Sequence, residues 1–239
     1  MLNFLQAKWE NIIMANYEVP ISVLQPYLPK GTQIDSYEGK AYVSLVGFLF
    51  KETRLFKIAI PKLGTFEEIN LRFYVYRKEG DELKRGVVFI NETVPYKAVA
   101  WLANKLYKEH YRAVKTKYNW ETSESKKQIH YQWLVNNKWN LISVEAEKSC
   151  SEMQKNSFEE FIFEHYYGYN KLNSKTTIEY SLRHPRWQVY QVKDFGLDCD
   201  VEKLYGASFV PFIQNVKPVS VFLAKGSDVK VKMPCKLFK

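Results

Sequence analysis

FEEINLRFYVYR, residues 66–77, alternates with the two-residue period of a β-strand. Ile69, Leu71, Phe73 and Val75 fall on one side, and Glu68, Asn70, Arg72, Tyr74 and Tyr76 on the other. The first face calls for a core. The second sets an acid, an amide, a guanidinium and two phenols in one row. On an outward face such a row makes weak cross-strand pairs. On the inner face of a sheet that closes on itself it lines a chamber, because ligand cavities combine apolar walls with a few convergent polar groups. The aromatic rings among the charges and the apolar strands on either side favour the chamber. Successive residues on one face are ~7 Å apart, so Glu68 and Arg72 stand roughly 13 Å apart along the backbone and can bracket a small ligand.

Working outward, the strand's antiparallel partner is GVVFINETV (86–94), reached through the turn KEGDELKRG. Upstream, TQIDSYEGKAYVSLVGFLF (32–50) reads as two strands joined near Tyr37 to Gly39, the second apolar throughout and therefore central. A loop with Pro61 and Gly64 leads from it to residue 66. EVPISVLQPYLPKG (18–31) is a short helix bracketed by prolines, with Val23, Leu24 and Leu28 as its stripe. PYKAVAWLANKLYKEHY (95–111) is the longest helix, with Val99, Leu102 and Leu106 on one face. IHYQWLVNNKWNLISVEAE (129–147) is a hairpin turning at Asn136 and Asn137, which tolerate left-handed backbone. SFEEFIFEHYYGY carries a capping box, Ser157 with Glu160, and a stop at Gly168. The later stretches 176–192 and 218–233 are strand-like. Eight to ten strands and three short helices make an α+β, mainly β fold whose sheet is large enough to close.

The 239 residues, 46% hydrophobic and 16% aromatic, suffice for one substantial core, so 1–239 is read as a single domain. The N-terminus has Lys8 and Glu10 inside its apolar stretch, unlike a signal peptide, and no run reaches the ~20 apolar residues that span a bilayer. Cys150, Cys199 and Cys235 are odd in number and far apart, which fits reduced thiols in a cytoplasmic protein. Pairing of two of them stays open. The net charge of +9 would attract nucleic acid, but the lysines are scattered among acids, as on a solvated surface. His110, His130, His165 and His184 show no metal-ligand spacing, and no P-loop, G-x-G-x-x-G or G-x-S-x-G is present. Neither metal nor cofactor is implied.

Two further patterns have a family likeness: VP…L…LP…D…G.A.V around Val19 to Val43, and E.N.R.YV from Glu68 to Val75. With GVVFIN before a helix, EHYYGY and EYSLRHPRW, they resemble the YqjF-like family of bacterial proteins, a domain of unknown function, over nearly the whole chain. That family is similar in turn to acetoacetate decarboxylase. The resemblance implies a large, closed, cone-like antiparallel β-barrel with helices outside and the site within. It matches Glu68 to the decarboxylase's strand glutamate and puts His110 and Tyr111 where the decarboxylase has its Schiff-base lysine and the neighbouring lysine that activates it. The decarboxylase's N-terminal arginine falls at Glu18. Lys108 and Lys115 are the nearby candidates for a migrated lysine.

The site expected from these readings has Glu68 as acid, base or acceptor, Arg72 as anion clamp, and Asn70 and Tyr74 as positioning groups. Arg72 can alternatively serve as structural partner of a buried glutamate. His165, His184 and Trp187 join the ligand-binding set through the resemblance. The ligand would be a small organic acid. An enzyme, lyase or hydrolase, and a non-catalytic binding or sensing protein are both open, as is a homo-oligomer. A nucleic-acid binder rests on charge alone.

Overall fold

The computed structural model describes residues 3–59 and 63–238, so Pro61 of the expected loop lies outside them. The chain is mainly β. β1 (Asn3–Val19), the one-turn α1 (Ile21–Leu24), β2 (Gln33–Ile34), β3 (Ala41–Leu55), β4 (Ile58–Ala59), β5 (Phe66–Glu79) and β6 (Glu82–Val94) come first. Then follow α2 (Lys97–Tyr107), β7 (Tyr111–Ala113), and the meander of β8 (Thr116–Thr122), β9 (Lys126–Val135) and β10 (Lys138–Glu152). α3 (Phe158–Phe163), β11 (Tyr167–Lys171), β12 (Thr177–Arg183) and β13 (Gln188–Asp198) lead to α4 (Val201–Tyr205), α5 (Val210–Ile213), β14 (Ser220–Lys232) and β15 (Cys235–Leu237). None of the described helices is long and apolar enough to cross a membrane.

β5 sits between β3 and β6, in register Ser44↔Arg72, Val46↔Asn70 and Phe48↔Glu68 on one side and Asn70↔Glu92 on the other. β1 joins β3 to β14, β11 joins β6 to β12, and β12 also reaches β14 at Leu182↔Val231. The sheet is mixed where an antiparallel one was expected: β6 pairs in parallel with β11 and with β7. Both strands are reached by crossovers rather than hairpins, through α2 in one case and through the meander and α3 in the other, and a crossover returns a strand in the parallel sense.

Two apolar cores form, one on each face of β5. Ile69, Leu71, Phe73 and Val75 are fully buried against Ile13, Leu45 and the inner side of the meander, where Ile129, Tyr131, Trp133 and Ile142 cover them. On the opposite face Ile12, Met14, Val46, Phe48 and Trp187 form the second core. Each such side chain contributes about 1.5–3 kcal/mol on burial, so both faces are strongly held.

The β5–β6 hairpin and the Asn136–Asn137 turn match expectation, both asparagines being left-handed (φ 49° and 62°). Other elements differ. β1, seventeen residues long, is a strand where none was expected, and short strands raise the total among the described residues to fifteen. The segment near Tyr37 to Gly39 turns, but its first strand, β2, pairs with β5 rather than β3. The helix expected over 18–31 is only one α-turn followed by a 3-10 turn, with Leu24 its fully buried member. α3 keeps its cap, Glu160 N–H donating to Ser157 Oγ at 3.1 Å, but ends at Phe163, and Gly168 lies inside β11. There Gly168 faces Tyr180 across the β11–β12 pair, and a Cβ on it would collide with the Tyr180 ring. α4 and α5 were not foreseen. All three cysteines are free.

Candidate active site

The polar row of β5 faces a cavity of about 140 Å³ between the strands and α2, walled by rings such as Trp9, Phe48 and Phe50. Glu68 and Asn70 are almost fully buried, and Arg72 is half-buried. Because Glu68 and Asn70 are two apart on one face, Asn70 Nδ2 donates to Glu68 Oε1 at 2.9 Å. Tyr111 Oη donates to Glu68 Oε2, also at 2.9 Å. Burial lifts the Glu68 pKa to about 7, against the opposing pull of those two donors and of the Arg72 charge.

Arg72 forms no ion pair among the described residues. One of its terminal nitrogens meets the Met14 sulfur at 3.5 Å, its centre lies 5.7 Å from the Tyr74 ring, and its buried Nε has no partner. The structural-partner alternative would need a carboxylate in contact with it, and Glu68 feels its charge without touching it.

The register brings in groups that the sequence did not point to. A bulge between Leu71 and Arg72 on the β5–β6 ladder shifts the phase of β6, so that Phe89 and Glu92 both turn toward the cavity although they are three apart. Glu92 sits directly opposite Asn70 on one side and Tyr111 on the other. Glu109, just past the left-handed C-cap residue Lys108 of α2, adds a third carboxyl, held by the Tyr180 hydroxyl. Burial pushes Glu109 up to about 8, with the Glu68 charge adding to the rise, and pushes Glu92 well above the carboxylate range, reinforced by Glu109 and Glu68. A cavity-facing parity count across a bulge would have found Glu92. Tyr111 entered only as an occupant of a lysine position.

His165 lines the cavity from the segment after α3, its Nε2 3.1 Å from Asp35 Oδ2, which also takes the Arg85 Nε hydrogen at 2.6 Å. Its Nδ1 is buried without a partner. Burial lowers the His165 pKa to about 4 despite Asp35. The ring is therefore expected to stay neutral from pH 5.5 to 8, and ¹H–¹⁵N NMR of the imidazole nitrogens checks this: a midpoint near 6.5 would contradict the packing that isolates it.

Trp187 lines the cavity and donates from Nε1 to Ser227 Oγ at 2.8 Å. Two other expected residues stand back from it. Tyr74 is buried beside the cavity, its hydroxyl paired with Ser44 and its ring 4.7 Å from His165. His184 stacks on the outside of Trp187 at 3.9 Å. Lys108 and Lys115 are exposed and outside the lining, and no lysine occurs among the described lining residues.

The chain is mainly β with short helices, and by superposition its fold is acetoacetate decarboxylase-like. It superposes on an acetoacetate decarboxylase-like enzyme from Sphingomonas wittichii RW1 with a TM-score of 0.68 at 10% identity, covering 99% of this chain and 94% of that one. For the acetoacetate decarboxylase of Legionella pneumophila the TM-score is 0.66 at 11% identity, over 98% and 87%. For the enduracididine biosynthesis enzyme MppR complexed with pyruvate it is 0.62 at 8%, over 98% and 90%. The chain belongs to the DUF2071 family, described as an uncharacterized conserved protein, whose model matches residues 6–228. It is 31% identical over 84 residues to the uncharacterized protein YqjF of Bacillus subtilis (strain 168), a match spanning 35% of this chain and only 33% of that relative's length.

Proposed function

We propose that the chain binds a small organic acid in the cavity, with Arg72 clamping the carboxylate and Glu68 moving a proton on the bound molecule. The observation carrying this is the Arg72 guanidinium, free of any ion pair among the described residues, on one cavity wall with a buried, near-neutral Glu68. A guanidinium matches a carboxylate in bidentate fashion, and a carboxyl that titrates near 7 is suited to general acid–base work at that pH. A cavity of about 150 Å³ holds one benzene, so 140 Å³ suits a ligand of about that size and excludes a nucleotide. The β12–β14 pairing supports a closed, cone-like barrel around the cavity, and one such unit over 1–239 in the cytoplasm belongs to the same reading.

Schiff-base decarboxylation is not part of it. By the family resemblance His110 and Tyr111 stand where the decarboxylase has its lysines, and the described lining has no amine nucleophile. That same lack favours a second reading, a non-catalytic binding or sensing protein on this fold. Calorimetric titration with pyruvate, acetoacetate, lactate and propionate tests the site: saturable binding of at least one is expected, and none binding would sink it. Borohydride added with pyruvate should leave the protein mass unchanged. If Glu68 acts as base, pyruvate methyl protons exchange with D₂O and Glu68→Gln stops the exchange. Binding without exchange leaves the sensing reading.

A further inference from the structure

The cavity is electrically lopsided. Glu68, Glu92 and Glu109 line one region, and among the described residues none of the three has a cation in ion-pair contact. They are not arranged as a metal cage. Their neighbours are donors already committed: Tyr111 to Glu68, Tyr180 to Glu109 and Asn70 Nδ2 to Glu68.

Two acceptors in that region are left over. Asn70 Oδ1 and Glu92 Oε2 are buried with no hydrogen-bond partner, on side chains 2% and 1% exposed. They belong to residues directly opposite in the β5–β6 ladder, whose Cβ atoms in such pairs lie about 4.5–5.5 Å apart. An amide oxygen only accepts, and this one is fixed by its own NH₂ group's bond to Glu68, so its partner must donate: the proton that Glu92 carries in the empty site, or the hydrogens of a ligand that takes that proton's place.

We propose that the ligand carries an amine as well as an acid, its ammonium held by Asn70 Oδ1, Glu92 and Glu68 while Arg72 holds its carboxylate, so that the ligand class is a small amino acid. This rests on the anion-clamp reading of Arg72. An ammonium offers three donors to three acceptors and supplies the missing positive charge. A plain carboxylic acid or an oxo-acid places no donor on Asn70 Oδ1, and a hydroxy acid supplies only one. Charge also links the site to protons. Glu68, Glu92, Glu109, Tyr111 and Tyr180 face this region from β5, β6, the α2–β7 connection, β7 and β12, with Arg72 and His165 beyond them. Burial, reinforced by repulsion among the carboxyls, keeps Glu92 and Glu109 largely protonated near neutrality, and burial leaves Glu68 about half protonated there. An arriving ammonium therefore displaces a proton from them into solvent, with no other bond made or broken.

The experiment is calorimetry on the full chain at pH 7 with two matched sets: alanine, lactate and propionate; γ-aminobutyrate, 4-hydroxybutyrate and butyrate. Two buffers of different ionisation enthalpy count the protons exchanged. In at least one set the amino member should bind tenfold or more tighter than its plain acid, with net proton release, and Glu92→Gln should weaken the amino member at least tenfold. If the plain acids bind as tightly as the amino acids, or binding releases no proton, the amine subsite is wrong while the Arg72 clamp survives. If nothing in either set binds, the amine subsite falls, and the Arg72 clamp falls with it only when pyruvate and acetoacetate also fail to bind. The wild-type comparison decides even if Glu92→Gln fails to fold.

Discussion

Arg72→Met is expected to weaken carboxylate binding by about 30- to 150-fold while leaving the fold as stable as before, or more so. Hydrogen bonds to charged groups contribute about 1.5–3 kcal/mol, and loss of a bidentate clamp in a mostly apolar cavity belongs in the upper part of that range, about 2–3 kcal/mol. The stability half of the prediction has a separate cause. In the free protein the guanidinium touches the Met14 sulfur and the Tyr74 ring and no carboxylate among the described residues, so its removal strands no partner charge. Methionine fills much of the same volume and packs well against sulfur and rings. Calorimetry and urea denaturation on the same variant separate the roles. A fall in stability of more than about 2 kcal/mol with ligand affinity intact would make Arg72 a structural residue and leave the cavity without its anion clamp.

That contrast explains how much of the site was legible in the sequence. Glu68, Asn70 and Arg72 could be assigned because the alternation of β5 is unbroken from Glu68 to Tyr76, so one face sorts cleanly from the other. Glu92 could not. It follows a bulge, and a period-two count from Val87 and Phe89 puts Asn91 in the cavity and Glu92 outside it. β1 escaped notice for the same reason: left-handed Asn11 (φ 50°) breaks the phase, so that Trp9 and Ile12, three apart, share a face. Glu109 has no periodic signal at all, since a left-handed residue after α2 aims it. α4 and α5 are four or five residues long, too short for a helical period to show. The parallel β6–β11 pairing joins segments some eighty residues apart in the chain, and no local pattern encodes it. Hairpins, by contrast, carry their own turn residues, and both expected hairpins formed.

The three carboxyls should also control stability between pH 6.5 and 8. Glu68 at about 7, Glu109 at about 8 and Glu92 well above the carboxylate range are all raised from the ordinary 4.5, chiefly by burial. In the unfolded chain all three are ionised throughout this window. The folded protein still holds protons there, so it binds more protons than the unfolded chain, and stability must fall as pH rises. Each retained proton contributes a slope of about 1.4 kcal/mol per pH unit, and a drop on the order of 3 kcal/mol is expected across the window. Below pH 6.5 two histidines work the other way. His165 and His184 are both lowered to about 4 by burial, so acidification favours the unfolded chain that can protonate them. Two histidines only partly offset three carboxyls, so below pH 6.5 stability goes on rising as pH falls, but more gently, and the maximum lies on the acid side of pH 6.5, far below the sequence pI of 9.2. Glu92→Gln keeps the shape of the side chain and removes one titrating group, so its profile above pH 6.5 should be shallower by about one proton's worth, making it the more stable protein at pH 8. Urea denaturation at half-unit pH steps measures both slopes. A flat wild-type profile over this range would mean that water or a counter-charge reaches the carboxyls in solution, and the dry acidic region on which an ammonium subsite depends would not exist.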